Sequence, residues 1–288
     1  MSKATKGHKN HQALLALHSA VLLFALSGLF AKWLSLPAVV IVFGRAFFAA
    51  LTIMFFVRFF KKQSLKCEIK TLLALALTGG ILAFHWGSFF QAIQVSSVAI
   101  GLITFATFPV FVSFLEPLFF NEKFCYRSLI QALLTIVGIR LILPDEHSQL
   151  AVFEGACWGI ASALSFALLT LLNRKFVSKS SAKKIALYQN MFAALFILPF
   201  IVVNPVAISI DQLAIIILLG VVFTAFAHSL FNHSLKTLRA QTASIAVSLE
   251  PIYGVIAAYF LLDESITLMM VLGGTIVLAT NIWALKSH

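Results

Sequence analysis

Charged residues are scarce in this chain. Only 11% of its 288 residues are charged, and aspartate and glutamate together number 10. A soluble domain carries roughly a quarter charged residues, whereas 61% of this chain is apolar. One soluble core cannot bury such an excess, so we predict an integral membrane protein. The net charge is +11, and the basic residues that cause it lie mostly between the apolar runs. This distribution is typical of charges that set membrane topology rather than of nucleic-acid binding.

Cysteine clusters and catalytic motifs are also missing. The three cysteines, Cys67, Cys125 and Cys157, are scattered and form no C-x-x-C pair, which excludes a disulfide framework and a zinc motif. His228 and His233 are five residues apart and do not share one helical face as metal ligands would. No H-E-x-x-H or G-x-S-x-G motif occurs, and no aspartate falls in the middle of an apolar run. An intramembrane enzyme therefore has no candidate machinery, and we expect no cofactor and no metal.

Ten long apolar runs account for most of the chain. A helix needs about 20 apolar residues to cross the hydrocarbon core, and no loop between the runs could hold a soluble domain. The first run is too long for the apolar part of a cleaved signal peptide. We predict an all-α integral membrane protein whose ten transmembrane helices cover residues 13–32, 37–58, 70–92, 97–119, 127–143, 150–172, 184–203, 211–232, 240–261 and 266–285.

The distribution of lysine and arginine predicts the orientation. With a cytoplasmic N-terminus, all but three of the 21 lysines and arginines lie in inner segments. The exceptions are Lys32 and Arg140 near outer helix ends and Arg45 inside the second run. Positive residues concentrate on the cytoplasmic side of membranes. We therefore expect both termini in the cytoplasm, and we expect Cys67 and Cys125 in cytoplasmic loops.

The two halves of the sequence repeat each other. A shift of 142 residues places Pro109 on Pro251 and Glu122 on Glu264. With a two-residue insertion, the same alignment matches Phe-Ala-Ala-Leu at 48–51 and at 192–195. We predict a cytoplasmic tail at 1–12 and five-helix repeats at 13–143 and 144–288. Because five is odd, the second repeat enters the membrane from the opposite side, and inverted repeats place a substrate site between the halves.

These repeated pieces resemble the EamA family of the drug/metabolite transporter superfamily. The resemblance lies in Thr-Phe-Pro at 107–109 followed by Asn-Glu at 121–122, and in Leu-Glu-Pro at 249–251 followed by Asp-Glu at 263–264. The stretch at 85–93 is similar to a helix hairpin of that family's aromatic amino-acid and metabolite exporters. The resemblance implies export of amino acids or related metabolites across the bacterial inner membrane. The first half departs from the pattern because Phe108 stands where the second half has Glu250.

Two ionisable residues fall near the middle of apolar runs, Arg45 in the second and Glu250 in the ninth. Each costs about 2.5–3.5 kcal/mol on insertion scales, so each needs a reason. One interpretation is that they face a polar cavity and bind the substrate or a coupling proton. The other is a buried ion pair that fixes packing. Glu116 lies nearer the predicted inner boundary, where its carboxylate can reach water.

Further candidates have polar or aromatic side chains inside the runs. A histidine can accept a proton and a tryptophan face can stack on a cation or a ring; the alternative for His85 and Trp86 is an interhelical hydrogen bond beside a packing tryptophan. Pro109 and Pro251 mark hinges or static bends. The remaining predicted substrate-binding residues are Thr104, Phe108, Trp158, Tyr188 and Asn190.

Taken together, these patterns predict a secondary transporter that exports amino acids or related metabolites by alternating access. The partners expected are a small-molecule substrate, membrane lipid and a coupling proton. A lipid or lipid-precursor flippase and a passive facilitator of the same fold remain alternatives. A monomer and a homodimer are both compatible with the sequence.

Overall fold

The computed structural model describes residues 3–61, 65–120, 126–142, 149–177, 180–234, 238, 246–247 and 249–286. Within them the chain forms helices joined by short turns. We number ten helical segments α1 to α10: Lys3–Ser27 with a further turn at Phe30–Trp33, Ala38–Phe56, Ile69–Val95, Val98–Phe105 with Phe108–Phe120, Tyr126–Ile142, Gln149–Leu172, Ala182–Val203, Ile210–Gly220 with Ala227–Ser234, Glu250–Leu262 and Leu268–Lys286.

Each of the ten predicted runs coincides with one of these segments. Among the described residues, seven helices are long and apolar enough to cross a membrane: His11–Trp33, Ala38–Phe59, Ile69–Val95, Val98–Phe120, Leu150–Lys175, Lys183–Val203 and Ile210–Phe231. Three apolar helices are shorter, Leu129–Ile142, Glu250–Leu262 and Leu268–Trp283. Residues 240–245 and 248 of the ninth run lie outside the described residues, as do Glu122 and Cys125. That all ten segments cross the membrane stays a prediction.

The first helix begins earlier than predicted. It is already helical at Lys3, ten residues before the apolar run. Alanine, lysine and glutamine are good helix formers, so the polar start of the chain continues the same helix.

The contacts between helices recur when each helix number is raised by five, counting on from α10 to α1. α3 packs on α6 and α8 packs on α1; α4 packs on α6 and α9 on α1; α3 packs on α7 and α8 on α2. The other large contacts join equivalent helices directly: α2 with α7, α4 with α9, and α5 with α10. Each of these contacts thus has a counterpart when α1–α5 and α6–α10 are exchanged. The chain is built from two repeats.

Two glycines show this equivalence in detail. A Cβ on Gly79 would lie 2.6 Å from the Phe192 Cβ and 3.0 Å from the Gln189 carbonyl oxygen. A Cβ on Gly220 would lie 2.6 Å from the Phe48 Cβ and 3.1 Å from the Arg45 carbonyl oxygen. Small residues let membrane helices approach closely. Phe48 and Phe192 are the first residues of the two Phe-Ala-Ala-Leu pieces. The two repeated pieces therefore make equivalent contacts, each with a glycine of the other repeat.

α4 and α9 carry the same local irregularity. In α4 the Thr107 amide donates to the Thr104 carbonyl and the Val110 amide to the Thr107 carbonyl. The helix is broken between Phe105 and Phe108. The amides of Leu249 and Ile252 make the equivalent bonds, to the carbonyls of residues 246 and 249. Phe108 and Glu250 are therefore each the first residue of a helix that restarts before a proline.

A carboxylate from the second repeat holds the start of α4. Glu264 accepts hydrogen bonds from the backbone amides of Val98 (3.0 Å) and Ala99 (3.5 Å). Asp263, at a left-handed φ of 52°, ends α9 and turns the chain toward this contact. Free amides at a helix start favour an anionic acceptor, so the loop after α9 fixes α4 from the other repeat.

Candidate functional site

Arg45 lies in the interior of the helix bundle, on α2. Its side chain is 3% exposed, and its guanidinium carbon lies 4.1 Å from the centroid of the Trp86 ring and 5.3 Å from that of Phe90. Its Nε donates a hydrogen bond to the hydroxyl of Thr224 at 3.2 Å. A desolvated cation–π contact contributes about 2 kcal/mol or more, which offsets part of the cost of burying the charge.

Thr224 belongs to a π-helical turn, Val221–Phe226, that joins the two parts of α8. Its hydroxyl also donates to the carbonyl of Leu219, five residues earlier, at 2.9 Å. Such wide turns inside helices are frequent at functional sites. Here the turn presents a hydroxyl oxygen to Arg45.

Glu250 is the first residue of α9 and is 7% exposed. It lies within electrostatic range of Arg45. No ion pair joins them within 4.0 Å, however, and the Glu250 carboxylate makes no hydrogen bond to any described residue. A buried acid and a buried base from different repeats thus lie near each other without direct contact.

His228 on α8 joins this group. Its ring centroid is 6.2 Å from that of Trp86, the ring that Arg45 stacks on, and 5.1 Å from that of Phe24. From its spacing to His233, His228 is only a poor metal ligand, and the sequence does not predict its place in this group. A shift of 142 residues places Trp86 on His228, and this was the signal that could have identified the pair.

Next to the charged group lies a set of packed rings that we call the aromatic wall: His85, Phe89, Phe105, Phe108 and Phe166. The His85 ring lies 4.9 Å from Phe166 and 5.2 Å from Phe105. Phe105 stacks on Phe108 at 5.6 Å, and Phe108 meets the edge of Phe166 at 5.1 Å. The wall combines side chains of α3 and α4 from the first repeat with one of α6 from the second.

His85 also ties two helices together. The Ser162 hydroxyl of α6 lies 2.8 Å from the His85 Nδ1 and 3.0 Å from the His85 carbonyl oxygen. The Nδ1 lies 3.1 Å from the Ser162 carbonyl oxygen. Nδ1 therefore has the interhelical role that the sequence analysis held open, while Nε2 makes no hydrogen bond to a described residue.

Two predicted site residues lie on the α6 side without joining the wall. Thr104 donates to the carbonyl of Ile100 on its own helix, at 2.6 Å. A Cβ added to Gly159 of α6 would overlap the Thr104 hydroxyl oxygen, so Thr104 is a packing residue between α4 and α6. The Trp158 indole donates to Glu154, one turn earlier on α6, at 3.2 Å in an exposed position.

Two others lie on α7. The Tyr188 hydroxyl donates to the carbonyl of Leu65 at 2.7 Å, which ties the start of α7 to the segment before α3. Asn190 is almost fully buried and donates to the carbonyl of Ala186 at 2.8 Å. Its Oδ1 has no hydrogen-bond partner in the part of the chain that the structure describes. The structure thus brings together Arg45, Glu250, His85, Trp86 and Phe108 of the predicted set, and places the other four elsewhere.

The two proline positions flank the site. Pro109 follows the break in α4, next to Phe108, and Pro251 follows Glu250 at the start of α9. Among the described residues no group of three or more histidine, cysteine, aspartate or glutamate side chains is arranged to hold a metal ion. The site therefore offers charge, hydrogen bonding and ring stacking at the junction of the two repeats.

Comparisons with known proteins agree with this architecture. The model of the EamA-like transporter family matches residues 11–143 and again residues 153–285. An uncharacterised transporter of Archaeoglobus fulgidus is 29% identical over 73% of this chain and 74% of its own. The S-adenosylmethionine uptake transporter of Rickettsia conorii is 24% identical over 86% of this chain and 83% of its own.

A protein of known crystal structure has the same fold. It is 13% identical and superposes with a TM-score of 0.63 over 98% of this chain and 97% of its own. The two family matches start 142 residues apart, which is the shift found in the sequence. This chain belongs to the EamA-like transporter family.

Proposed function

We propose that this transporter exports amino acids or related small zwitterionic metabolites, which it binds between Arg45 and Glu250. One observation carries the proposal: a buried base and a buried acid come from different repeats and lie near each other without pairing directly. A structural ion pair would close the distance, because separated charges in an apolar interior are costly. A zwitterion between them supplies a carboxylate to Arg45 and an ammonium to Glu250.

The aromatic wall accounts for the rest of the ligand. Flat rings stack on flat, weakly polar groups, and such aromatic pairs contribute about 0.5–1.5 kcal/mol beyond area burial. We infer that the wall binds an aromatic or heterocyclic side chain. The related Rickettsia protein is named for S-adenosylmethionine uptake, and that molecule combines an amino-acid group with an aromatic base. The likeness supports the same chemical class of substrate.

The two repeats provide the transport mechanism. We propose ten transmembrane helices with both termini in the cytoplasm of a bacterium, so that repeats of five helices are inverted. Two similar halves can exchange inward-open and outward-open arrangements at little difference in energy, which gives alternating access. The contacts of α1–α5 with α6–α10 that repeat after five helices support this mechanism.

Uptake into proteoliposomes tests the proposal. The purified chain is reconstituted and supplied with radiolabelled L-phenylalanine, L-threonine or S-adenosylmethionine, with and without a proton gradient. We expect saturable transport of at least one of the two aromatic compounds, faster than that of L-threonine, since only aromatic groups can use the wall. Acceleration by the gradient would identify a coupling proton.

A lipid-flippase assay in the same liposomes provides the competing outcome. Fluorescent phospholipid is placed in both leaflets, and a membrane-impermeant quencher reports its movement. Scrambling of lipid without saturable uptake of any of the three compounds would contradict the proposed substrate class and favour the flippase. Saturable uptake that no gradient changes would indicate the passive facilitator.

A further inference from the structure

The break in α4 leaves a backbone carbonyl without its helical partner. In a regular helix the Val110 amide would donate to the carbonyl of Ala106, four residues earlier. Here the Val110 amide donates to the Thr107 carbonyl instead, at 2.9 Å, and Pro109 has no amide to donate. Ala106 is buried, so its carbonyl needs a donor from another element.

That donor comes from α10. The Asn281 side-chain amide donates to the Ala106 carbonyl at 2.6 Å. The Gln131 amide of α5 then donates to the Asn281 Oδ1 at 3.3 Å. The Ser113 hydroxyl lies 3.1 Å from the Gln131 Oε1 and 2.9 Å from the Pro109 carbonyl oxygen. This series of hydrogen bonds therefore starts inside the break in α4, at Ala106, and ends just beyond it, at Ser113 and Pro109.

These side chains are deeply buried. Asn281 is 0% exposed and Gln131 is 1% exposed. The two helices that carry them already pack closely through glycines, since a Cβ on Gly273 would lie 2.4 Å from the Gly138 carbonyl oxygen. The glycines thus account for the close packing of α5 on α10. The side chains of Asn281 and Gln131 serve instead to hydrogen-bond the break in α4.

We propose that Asn281 and Gln131 are positioning residues that hold the break in α4 and thereby fix the aromatic wall of the transport site. The rings of Phe105 and Phe108 stand on the two sides of the break and stack on each other. If the Ala106 carbonyl loses its donor, the two parts of α4 can rotate and this stack separates. The effect on ligand binding rests on the function proposed above, whereas the effect on the break does not.

Hydrogen exchange followed by mass spectrometry tests the break directly. Asn281→Leu removes the amide and keeps the approximate size, and Thr275→Val is the matched control. Thr275 is exposed on the same helix, and within the described residues its hydroxyl donates only to the carbonyl of Val271 on its own helix, at 2.7 Å. In Asn281→Leu we expect the backbone amides of residues 105–113 to exchange at least about tenfold faster than in the parent, and Thr275→Val to leave them unchanged.

Milder changes guard against general unfolding. Ser113→Ala removes the hydroxyl at the far end of this series of hydrogen bonds. Gln131→Leu removes the side-chain amide in its middle. We expect their exchange rates over residues 105–113 to lie between those of the parent and of Asn281→Leu. Exchange elsewhere, such as over α7, should stay at the parent's rate. Exchange over residues 105–113 that stays at the parent's rate in Asn281→Leu would overturn the proposal.

Transport kinetics test the link to the site. With L-phenylalanine as probe, we expect Asn281→Leu to raise KM at least about fivefold with Vmax within about twofold. A general loss of folded protein would instead lower Vmax at an unchanged KM. Faster exchange at the break with an unchanged KM would also overturn the proposal. If the parent transports S-adenosylmethionine but not L-phenylalanine, the former is the probe. Absence of transport of both would contradict the proposed substrate class, and the exchange rates would still decide whether Asn281 holds the break.

Discussion

Arg45 is held in the apolar interior by rings and a hydroxyl rather than by a paired acid. The face of Trp86 lies below its guanidinium and Thr224 accepts its Nε hydrogen. Arginine suits this position because its planar, weakly hydrated group stacks on aromatic faces better than an ammonium does. Glu250 adds attraction from a distance. Among the described residues, only its Nε donates a hydrogen bond. In the proposed function, its remaining donors bind an anionic ligand group.

The Glu250→Gln variant tests the acid at this site. Glutamine keeps the size and most of the hydrogen bonding but removes the charge. We expect the variant to insert and express normally and to lose at least about tenfold in transport rate, which corresponds to about 1.4 kcal/mol. Initial rates of substrate uptake into proteoliposomes, per amount of protein, provide the measurement.

Glu116→Gln is the matched control for that experiment. Glu116 also lies on a proline-containing helix, but it pairs with Arg174, and both side chains are partly exposed. Exposed ion pairs contribute about 0–1 kcal/mol, so we expect a much milder effect on transport. If Glu250→Gln transports like the parent with the same pH dependence, Glu250 is structural and does not bind the substrate.

Close helix crossings are the elements through which the two repeats meet. Gly79 of α3 fits against Phe192 of α7, and Gly220 of α8 fits against Phe48 of α2. The second crossing includes the backbone of Arg45, so the packing of α8 on α2 also sets where the guanidinium lies. Shape rather than hydrophobicity selects these partners, because lipid tails are as apolar as the side chains that the helices bury.

Alanine at these two glycines tests the equivalence of the crossings. A Cβ at either position would come within 2.6 Å of a phenylalanine Cβ, and overpacking typically costs 1–3 kcal/mol. We expect Gly79→Ala and Gly220→Ala each to lower the melting temperature of the detergent-solubilised protein by a few degrees. Gly87→Ala is the control, since a Cβ there meets nothing within 4 Å. Equal melting temperatures for all three variants would mean that neither crossing is tight.

On the scale of the whole molecule, charge and repeat together give the proposed orientation. Most lysines and arginines fall on one side if the ten segments alternate in direction. An error of one helix would scatter them over both sides. The same alternation of ten segments inverts the second repeat. The proposed orientation and the proposed alternating access therefore both depend on this topology.

Thiol labelling tests this topology. Cys67 is half-buried in the segment before α3 and Cys157 is exposed on α6, so the experiment uses a Cys157→Ser background. We predict that a membrane-impermeant maleimide misses Cys67 and Cys125 in intact cells and labels them after lysis. A cysteine at the exposed Ala207, in a predicted outer loop, should be labelled in both cases. Labelling of Cys67 or Cys125 in intact cells would reverse the orientation.

The sequence alone determined the class of protein, the ten helical segments, the repeat and the two buried charges, because these depend on composition, run length and residue spacing. Only the tertiary structure decided which polar side chains meet. Thr104 and Trp158 have the right chemistry for a site, yet Thr104 packs on Gly159 and Trp158 bonds within its own helix. Conversely, His228 and Asn281 reach the site or its support. In helices that are apolar on nearly every face, the pattern does not tell which face meets lipid and which meets another helix.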